Sequence, residues 1–433
     1  MKIAVIGMGK IGLPLAVQYA KKGQSVTGVD VNSKTVEFIN QGLEPFPEEA
    51  YLGEYLNDVV NKQMLRATLN YSEAIKPADV VVVVVPLFVN EKAEPDFAQI
   101  DKATVLIGAN LKKGSLICYE TTLPIGTTRN RFVPLLEKNS GMKVGTDFHV
   151  VFSPERVFTG RIFEDLRKYP KIVGGVTQNC AKKGVNFYSK VLDFDVRNDL
   201  AKPNGVWEVE STESAEFIKL AETTYRDVNI ALANQFAIYA DKIGVNIYEI
   251  IDSANSQYFS HIHQPGISVG GHCIPVYPQF YLWSDSSATI IKEARITNSN
   301  MPKYAVNCML NILGNLEGKN ILVLGLSYRA NVKESAFSGC FELNKEIKKY
   351  GANVEVIDPY FSTKEIEDLG LKSYSDRNTD IDGIIVHTNH KEFDSILKMP
   401  FPNCKVIIDG RNFLNNIKVI NSIPIFSIGS GTN

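Results

Sequence analysis

The sequence predicts an α/β fold in which two Rossmann-like, doubly wound domains are joined by a long central helix and a helical middle domain. Three observations support this prediction. A short apolar strand near the N-terminus runs into a glycine-rich turn and a helix, about 31 residues in the middle keep helical spacing without proline or glycine, and a second alternation of strands and helices begins near residue 319. We therefore expect domains at 1–200, 201–300 and 301–433, with the last boundary around Asn300-Met301-Pro302.

The composition is that of an ordinary globular protein, with 44% hydrophobic and 22% charged residues and a net charge of −2 over 433 residues. This balance gives no reason to expect binding to nucleic acid or to an anionic membrane. The six cysteines form no C-x-x-C pair, so we expect reduced thiols, no metal site and a cytoplasmic location. The N-terminal apolar run is too short and too rich in glycine for a signal peptide or a membrane span.

The N-terminal segment has the pattern of a dinucleotide-binding turn. A strand is predicted at Lys2 to Ile6, a helix at Leu13 to Lys22 and a second strand at Ser25 to Val29. The turn between the first strand and the helix consists of Gly7, Met8, Gly9, Lys10, Ile11 and Gly12.

Each part of this pattern has a physical reason. Gly7 permits the tight turn, Gly9 lets the backbone approach a pyrophosphate, and Gly12 lets the helix lie close to the strand. Asp30 follows the second strand, 18 residues beyond Gly12, where its carboxylate accepts hydrogen bonds from a ribose and repels a 2′-phosphate. The pattern therefore predicts NAD as cofactor; a glycine turn that binds no nucleotide is the alternative.

Further strands are predicted at 79–85, 115–119 and 149–152, with helices between them. In a doubly wound sheet, the loops at the carboxyl ends of the strands line the binding site. Here those loops contain Pro86, Glu120-Thr121-Thr122 and Ser153-Pro154-Glu155-Arg156.

The middle of the chain predicts one helix from Glu213 to about Ile243. Helices of this length often bridge two domains or pack against a second copy of the chain. Lys219, Thr223 and Arg226 share one face of this helix, and by spacing alone a solvated polar face is the simpler interpretation.

An irregular loop between residues 261 and 275 contains Cys273, preceded by Gly270-Gly271-His272 and followed by Ile274-Pro275. The glycines allow close approach of the backbone, and His272 is a candidate for stabilising a thiolate. The three histidines of this loop fit no zinc-binding spacing, so we expect no metal.

The last third predicts a second Rossmann-like unit, with strands at 319–324, 353–357, 383–387 and 405–408 and a helix at 337–350. It lacks a clean glycine fingerprint. Such a unit either binds the nucleotide part of a substrate or is structural only.

Taken together, these motifs resemble the UDP-glucose/GDP-mannose dehydrogenase family, and the resemblance covers essentially the whole chain. Its elements are the N-terminal fingerprint, E-T-T-x-x-x-G-T-T at 120–128, Ser-Pro-Glu-Arg at 153–156, the Lys219 helix, Gly-Gly-His-Cys at 270–273, and the closing block from Gly325-Leu326-Ser327-Tyr328 to Asp358-Pro359-Tyr360. The Ser-Pro-Glu-Arg and Gly-Gly-His-Cys-Ile-Pro forms resemble the branch that acts on UDP-N-acetylhexosamines, of either the gluco or the manno epimer.

The resemblance implies a four-electron oxidation of the sugar C6 alcohol to a uronate with two NAD, through a thiohemiacetal and a thioester on Cys273. It implies that Lys219 stabilises negative charge on the C6 oxygen, that Glu155 acts as general acid/base or positions water, and that Thr122 lies beside the nicotinamide. It also implies a homodimer or higher homo-oligomer, with the uridine on the C-terminal domain. The implied UDP-sugar contacts are Glu155, Arg156, Val157, Lys219, Thr223, Pro265, Gly266, Ser268 and Gly270.

The chain departs from the family pattern at several positions. Thr223 stands where the family usually has asparagine, Tyr277 where it usually has aspartate, and Ser260-His261-Ile262-His263 where an arginine is often found. UDP-glucose as substrate, a simpler two-electron dehydrogenase, and a NAD-binding scaffold without turnover are the alternative functions.

Overall fold

The structure, a computed structural model, describes residues 1–46, 49–375, 379–414 and 423–431. The chain divides into two compact units. The first contains Met1–Glu222 and Gln279–Ser284, and the second contains Thr223–Pro278 and Asp285–Asn433. None of the helices in the described ranges combines the length and the apolar character that crossing a bilayer requires.

The first unit is built on an eight-stranded sheet and a two-stranded hairpin, β5–β6. Its strands are β1 (Lys2–Ile6), β2 (Ser25–Val29), β3 (Leu65–Thr68), β4 (Val80–Val83), β5 (Phe88–Val89), β6 (Pro95–Asp96), β7 (Leu116–Tyr119), β8 (His149–Phe152), β9 (Lys171–Gly175) and β10 (Val206–Val209). Its helices are α1 (Gly12–Lys21), α2 (Ser33–Asn40), α3 (Leu52–Asn61), α4 (Tyr71–Ile75), α5 (Ala98–Asn110), α6 (Val133–Ser140), α7 (Ile162–Lys168), α8 (Gln178–Val191) and the first part of α9 (Thr212–Ile243), with a π-helical turn at Thr128–Phe132.

The order of the sheet, β10-β9-β8-β7-β4-β1-β2-β3, places the predicted strands side by side in parallel. The central strand β4 consists of four valines that are each at most 4% exposed, and burial of each contributes roughly 1.5–3 kcal/mol. One pair differs from the predicted parallel pattern: β9 runs antiparallel to β8. Because of this reversal, β9 begins at the edge of the sheet where β7 and β8 end.

Helix α9 begins at Thr212 and ends at Ile243, as predicted to within one residue. It passes from the first unit into the second at Glu222–Thr223. The solvated polar face suggested by spacing alone is wrong for Lys219 and Thr223, because both side chains are buried.

The second unit has a five-stranded, all-parallel sheet of order β12-β11-β13-β14-β15. Its strands are β11 (Asn320–Leu324), β12 (Asn353–Ile357), β13 (Gly383–Val386), β14 (Val406–Asp409) and β15 (Ile425–Ser427). Besides the remainder of α9, its helices are α10 (Ile247–Asn255), α11 (Tyr277–Ser284, whose last six residues belong to the first unit), α12 (Thr289–Leu313), α13 (Gly339–Lys348), α14 (Thr363–Asp368) and α15 (Phe393–Leu397).

The boundary that we predict around Asn300-Met301-Pro302 falls inside the 25-residue helix α12, and Pro302 is a buried residue of its interior. Met301 packs in the apolar core that α9, α12 and the second sheet share. The helix therefore continues through a proline that, on sequence grounds, suggested an interruption, because tertiary packing stabilises it there. The division into three domains stays a prediction beside the two compact units.

Candidate active site

The three glycines of the N-terminal turn have different surroundings. Gly7 has a φ of +92°, and a Cβ on Gly12 would lie only 1.8 Å from the carbonyl oxygen of Gly7. A Cβ on Gly9 would have no atom within 4 Å. The fold itself thus requires glycine at positions 7 and 12, whereas Gly9 faces open space into which a bound group can approach.

Asp30, at the end of the neighbouring strand β2, binds the backbone of this turn. Its Oδ2 accepts a hydrogen bond of 2.8 Å from the Met8 amide, and its Oδ1 accepts one of 2.9 Å from the Asn32 amide. Met8 itself is fully buried, and Lys10 and Ile11 are half-buried. The half-buried Asp30 carboxylate therefore lies beside the turn, as the NAD fingerprint requires, and the donor set around Gly9 fits a dinucleotide.

Three charged side chains meet at the carboxyl ends of β7 and β8. Lys171 Nζ lies 2.7 Å from Glu120 Oε2 and 2.9 Å from Glu155 Oε2. The hydroxyls of Tyr19 and Tyr188 donate to Glu120 Oε1 at 3.2 and 2.7 Å. We call Glu120, Glu155 and Lys171 the buried triad, because their side chains are only 0%, 11% and 4% exposed.

Burial and charge act in opposite directions on this triad. Burial raises the pKa of the Glu120 carboxyl to about 7, although Lys171 opposes the shift. Burial alone would also raise the pKa of Glu155, but the charge and hydrogen bond of Lys171 hold it below its usual range. For Lys171, burial lowers the pKa, and the two carboxylates outweigh that effect and raise it. The site thus favours an ionised Glu155 beside a charged lysine.

The first turns of α9 are fixed to the segment that follows β7. Glu216 is fully buried; its Oε1 accepts hydrogen bonds from the amide and hydroxyl of Thr128 at 2.8 and 2.7 Å, and its Oε2 accepts one of 2.5 Å from the Gly126 amide. Arg129 forms an ion pair of 2.5 Å with Glu213. Since Lys219 lies one turn after Glu216, these contacts determine where its ammonium group can reach.

Arg156 connects α9 to the loop after β8. Its Nη2 lies 2.5 Å from Glu222 Oε1, and its Nη1 donates to the carbonyl of Pro170 at 3.1 Å. Val157 is half-buried against the core of the first unit. The first unit therefore brings the Glu155–Val157 loop to the helix that carries Lys219.

The other predicted residues of the first unit lie where the strand order leads one to expect them. Thr122 follows the end of β7 and is 5% exposed. Pro86 follows β4 and is exposed. Both stand at the carboxyl edge of the sheet, together with the glycine turn and Asp30.

In the second unit, the loop of Cys273 packs against Tyr328. A Cβ on Gly270 would lie 2.5 Å from Tyr328 Cβ, and one on Gly271, where φ is +90°, would lie 2.9 Å from the ring. Only glycines fit this contact. The thiol of Cys273 is half-exposed, and the imidazole of His272 lies 3.4 Å from the Glu334 carboxylate.

The Pro265–Ser268 segment is buried, and hydrogen bonds to other parts of the second unit fix it in place. The Gly266 amide donates to Asn234 Oδ1 at 2.8 Å, and the Ile267 amide donates to the Gly410 carbonyl at 2.9 Å. Ser268 Oγ lies 2.9 Å from His387 Nε2 and accepts from Arg411 Nη2 at 3.3 Å. The Ser268 hydroxyl and the amides of Gly266 and Ile267 are thus engaged within the protein, which fixes the course of this segment.

A chain of buried polar groups connects the backbone beside Cys273 with the backbone of Gly266. Arg295 Nη1 donates to the carbonyl of Ile274, beside Cys273, at 3.1 Å, and its Nε lies 3.2 Å from Asp227 Oδ2. Asn298 donates to Asp227 Oδ1 at 2.7 Å and accepts from Asn234 at 2.9 Å, and Asn234 in turn binds Gly266. The cysteine loop and the Pro265–Gly270 loop are therefore supported by one continuous network.

Several of these residues were not identified from the sequence. Lys171, Tyr19 and Tyr188 carry no motif, and their role depends on which elements come together in space. Asp227 and Asn234 could have been found, because they follow Lys219 by 8 and 15 residues and so share its face of α9. Among the side chains that the structure describes, no three His, Cys, Asp or Glu groups are arranged to hold a metal ion.

Comparison with known proteins agrees with this arrangement. Models of the UDP-glucose/GDP-mannose dehydrogenase family match the chain in three blocks, the NAD binding domain at 1–192, the central domain at 213–300 and the UDP binding domain at 322–416. The chain is 34% identical over 424 residues to a UDP-N-acetyl-D-mannosamine dehydrogenase of Pyrococcus horikoshii, with 96% of both chains covered. It is 32% identical over 408 residues to a UDP-N-acetyl-D-glucosamine 6-dehydrogenase of Salmonella typhi, with 91% of both covered.

Solved structures of UDP-sugar dehydrogenases also superpose on this chain. A UDP-D-ManNAc dehydrogenase from Pyrococcus horikoshii superposes with a TM-score of 0.88 at 32% identity, covering 100% of both chains. A UDP-N-acetyl-mannosamine dehydrogenase from S. aureus superposes with a TM-score of 0.82 at 29% identity, covering 99% of both. The predicted fold class, the family resemblance and the use of NAD are thereby confirmed, and the chain belongs to the UDP-glucose/GDP-mannose dehydrogenase family as an NAD-dependent dehydrogenase of UDP-sugars.

Proposed function

We propose that this enzyme oxidises the C6 alcohol of a UDP-N-acetylhexosamine, with UDP-N-acetylmannosamine or UDP-N-acetylglucosamine as substrate, to the uronate. The observation that carries the proposal is the Gly270–Cys273 loop, in which two glycines pack on Tyr328 and leave a half-exposed thiol next to the residues predicted to hold the sugar. The relatives that match over nearly the whole chain are named for these two substrates, which supports the choice.

The chemistry requires two oxidations at one carbon. NAD, held by the Gly7–Gly12 turn and Asp30, supplies the hydride acceptor for each. Loss of a hydride and a proton converts the alcohol to an aldehyde. The thiolate of Cys273 then adds to the aldehyde carbon, and the carbonyl oxygen takes up a proton to give a thiohemiacetal.

The same carbon then loses a second hydride, and the hydroxyl of the thiohemiacetal loses its proton, which leaves a thioester. Water attacks the thioester carbon, the C–S bond breaks, and the uronate and the free thiol are formed. In this scheme Lys219 stabilises negative charge on the C6 oxygen, Glu155 takes up protons, and Thr122 lies near the nicotinamide. Arg156, Val157, Thr223 and the Pro265–Gly270 backbone hold the UDP-sugar.

The test is to count NADH per sugar with UDP-N-acetylmannosamine, UDP-N-acetylglucosamine and UDP-glucose. Two NADH per N-acetylated sugar is the expected result. One NADH per sugar would indicate a simpler two-electron alcohol dehydrogenase, and no NADH with any sugar would indicate a NAD-binding scaffold. A preference for UDP-glucose would make UDP-glucose the substrate. The Cys273→Ala variant should form no uronate, whereas Cys308→Ala, which removes another half-buried thiol of the same unit, should match the parent enzyme.

We also propose that the enzyme is a homodimer or higher oligomer formed through α9. In the part of this helix that belongs to the second unit, five apolar side chains are between 38% and 60% exposed and recur at the alternating intervals of a helix-packing seam. They are Tyr225, Leu232, Phe236, Tyr239 and Ile243. We call these residues the apolar stripe.

Light scattering tests this surface. The parent enzyme should have at least twice the mass of one chain, and Phe236→Glu should have a lower mass, because it places a charge in the middle of the apolar stripe. Val196→Glu, at an isolated apolar residue that is 91% exposed in the first unit, is the matched control and should leave the mass unchanged. Equal masses for all three proteins would count against the apolar stripe as an interface. A cytoplasmic location completes the proposal, supported by six free thiols.

A further inference from the structure

We propose that Lys171 and Glu120 act on the reaction through Glu155: Lys171 holds the Glu155 carboxylate in place, and Glu120 stores the proton that Glu155 removes from the substrate. This inference rests on the proposed function and extends it. It makes Lys171 and Glu120 positioning residues, since neither has access to the substrate except through Glu155.

The geometry gives Glu120 access to protons through Glu155. Lys171 Nζ contacts Glu155 Oε2 at 2.9 Å and Glu120 Oε2 at 2.7 Å, so it bridges the two carboxylates. The side chains of Glu120 and Lys171 are 0% and 4% exposed, and that of Glu155 is 11% exposed. A proton therefore reaches Glu120 from the open side of the site through Glu155.

The charges around the triad do not balance while both of its carboxylates are ionised. Two carboxylates share one ammonium group, and three further titratable groups act on the triad: Tyr19 on α1, Cys118 on β7 and Tyr188 on α8. Burial raises the pKa of all three of those groups, so they remain neutral.

The guanidinium of Arg156 does not supply the missing charge, because it is paired with Glu222. When both carboxylates are ionised, one buried negative charge is thus left over, and the uptake of a proton by Glu120 removes it. This agrees with the direction in which burial shifts the pKa of Glu120, to about 7.

The proposed transfer conserves every proton. Glu155 takes a proton from the C6 hydroxyl or from the hydrolytic water. The Glu155 carboxyl then gives a proton to Nζ of Lys171 while Nζ gives another to Glu120, and the charge of the lysine is unchanged. Glu155 is thereby ionised again. The stored proton returns from Glu120 by the reverse steps when the aldehyde oxygen is protonated to form the thiohemiacetal, so Glu120 is ionised before the second oxidation. The two tyrosine hydroxyls hold the Glu120 carboxyl in place.

Three variants of the full-length enzyme separate storage from a merely structural role. Glu120→Gln leaves Glu155 beside Lys171 without its competitor, so the acid limb of the kcat–pH profile should move down by about one pH unit or more. Lys171→Met leaves two carboxylates without a cation, so the acid limb should move up by about one pH unit or more. Lys171→Arg restores the cation and should return the limb toward its position in the parent enzyme.

The KM values for NAD and UDP-sugar should change by less than about threefold in all three variants, because the substituted residues, Glu120 and Lys171, contact neither molecule in this scheme. The proposal would be overturned if the acid limbs of Glu120→Gln and Lys171→Met moved in the same direction, or if neither moved, even if the enzyme makes uronate normally.

A measurement without substrate tests the same inference. The infrared carbonyl band of a protonated carboxyl group should titrate near neutral pH in the parent protein and be missing in Glu120→Gln. If the band persists unchanged in Glu120→Gln, the stored proton is not on Glu120. This readout does not depend on activity, so a failure of the proposed function, seen as no NADH with any sugar, remains distinguishable. The infrared measurement also tests the proposal if Lys171→Met does not fold, because it uses only the parent protein and Glu120→Gln.

Discussion

Alanine at Gly12 should destabilise the protein, whereas alanine at Gly9 should preserve its stability and weaken cofactor binding. A Cβ on Gly12 would lie 1.8 Å from the Gly7 carbonyl oxygen. Carbon–oxygen contacts are normally at least about 3.3 Å, so strand and helix would have to separate by roughly 1.5 Å. Overpacking costs about 1–3 kcal/mol when side chains can adjust, and here the obstacle is backbone, so we expect a loss of at least about 3 kcal/mol.

The same substitution at Gly9 meets no atom within 4 Å, and its φ lies outside the left-handed region. Gly9→Ala should therefore be neutral or stabilise the protein by about 0.4–1 kcal/mol, because the unfolded chain loses conformational freedom. A methyl group in the space where the pyrophosphate approaches should nevertheless weaken NAD binding by about tenfold or more, equivalent to about 1.4 kcal/mol.

Thermal unfolding and calorimetric titration with NAD distinguish the two effects. For a unit of this size, about 1 kcal/mol corresponds to roughly 2–4 °C, so Gly12→Ala should melt about 6–12 °C below the parent and Gly9→Ala within a few degrees of it. NAD affinity of Gly9→Ala equal to that of the parent would refute the placement of the pyrophosphate. An unchanged melting temperature for Gly12→Ala would refute the packing argument.

Two further predictions concern the second unit. Asn298→Leu removes the hydrogen-bond partner of Asp227 and Asn234, so urea unfolding should show a free energy of unfolding lower by about 2–4 kcal/mol. The KM for the UDP-sugar should rise, because Asn234 then holds the Gly266 amide less firmly. An unchanged KM would mean that this network does not support the loop. Burial, together with the charge of Arg411, lowers the pKa of His387 to about 3, so the folded state keeps the ring neutral while the unfolded chain takes up a proton below about pH 6.5. Stability should consequently fall between about pH 6.5 and pH 3 by at most about 1.4 kcal/mol per pH unit, and His387→Gln should show a smaller loss between pH 7 and pH 5; equal losses would show that His387 is not the group responsible.

The sequence predicted the elements of this protein better than it predicted their surroundings. Helix α9 was placed to within one residue, because a long stretch without glycine or proline has few other ways to satisfy its backbone. Whether Lys219 and Thr223 face water or protein was beyond reach, since spacing defines a face of a helix but not what covers it. The buried carboxylate of Glu216, which fixes this part of the helix to the turn at Gly126–Thr128, decides the question.

The buried triad could not be predicted for a related reason. Lys171 begins β9, and it meets Glu155 only because β9 runs antiparallel to β8. The ladder pairs Phe152 with Gly174, and extending that register by three residues places Glu155 opposite Lys171. If β9 ran parallel to β8, the start of β9 would lie at the opposite edge of the sheet and the lysine would be far from Glu155.

Helix α9 buries polar residues and exposes apolar ones to an unusual extent. Besides apolar residues such as Leu220 and Ala237, its buried positions include Glu216, Lys219, Thr223, Asp227 and Asn234, and its exposed positions include the apolar stripe. An isolated chain has no physical reason to prefer this, because buried polar groups cost free energy unless every one is hydrogen-bonded, and exposed apolar area gains nothing from water. Glu216, Asn234 and the Oδ1 atom of Asp227 are hydrogen-bonded to backbone or side-chain atoms, which reduces the first cost. Only a covering surface removes the second cost, and this is the physical argument for the proposed homo-oligomer.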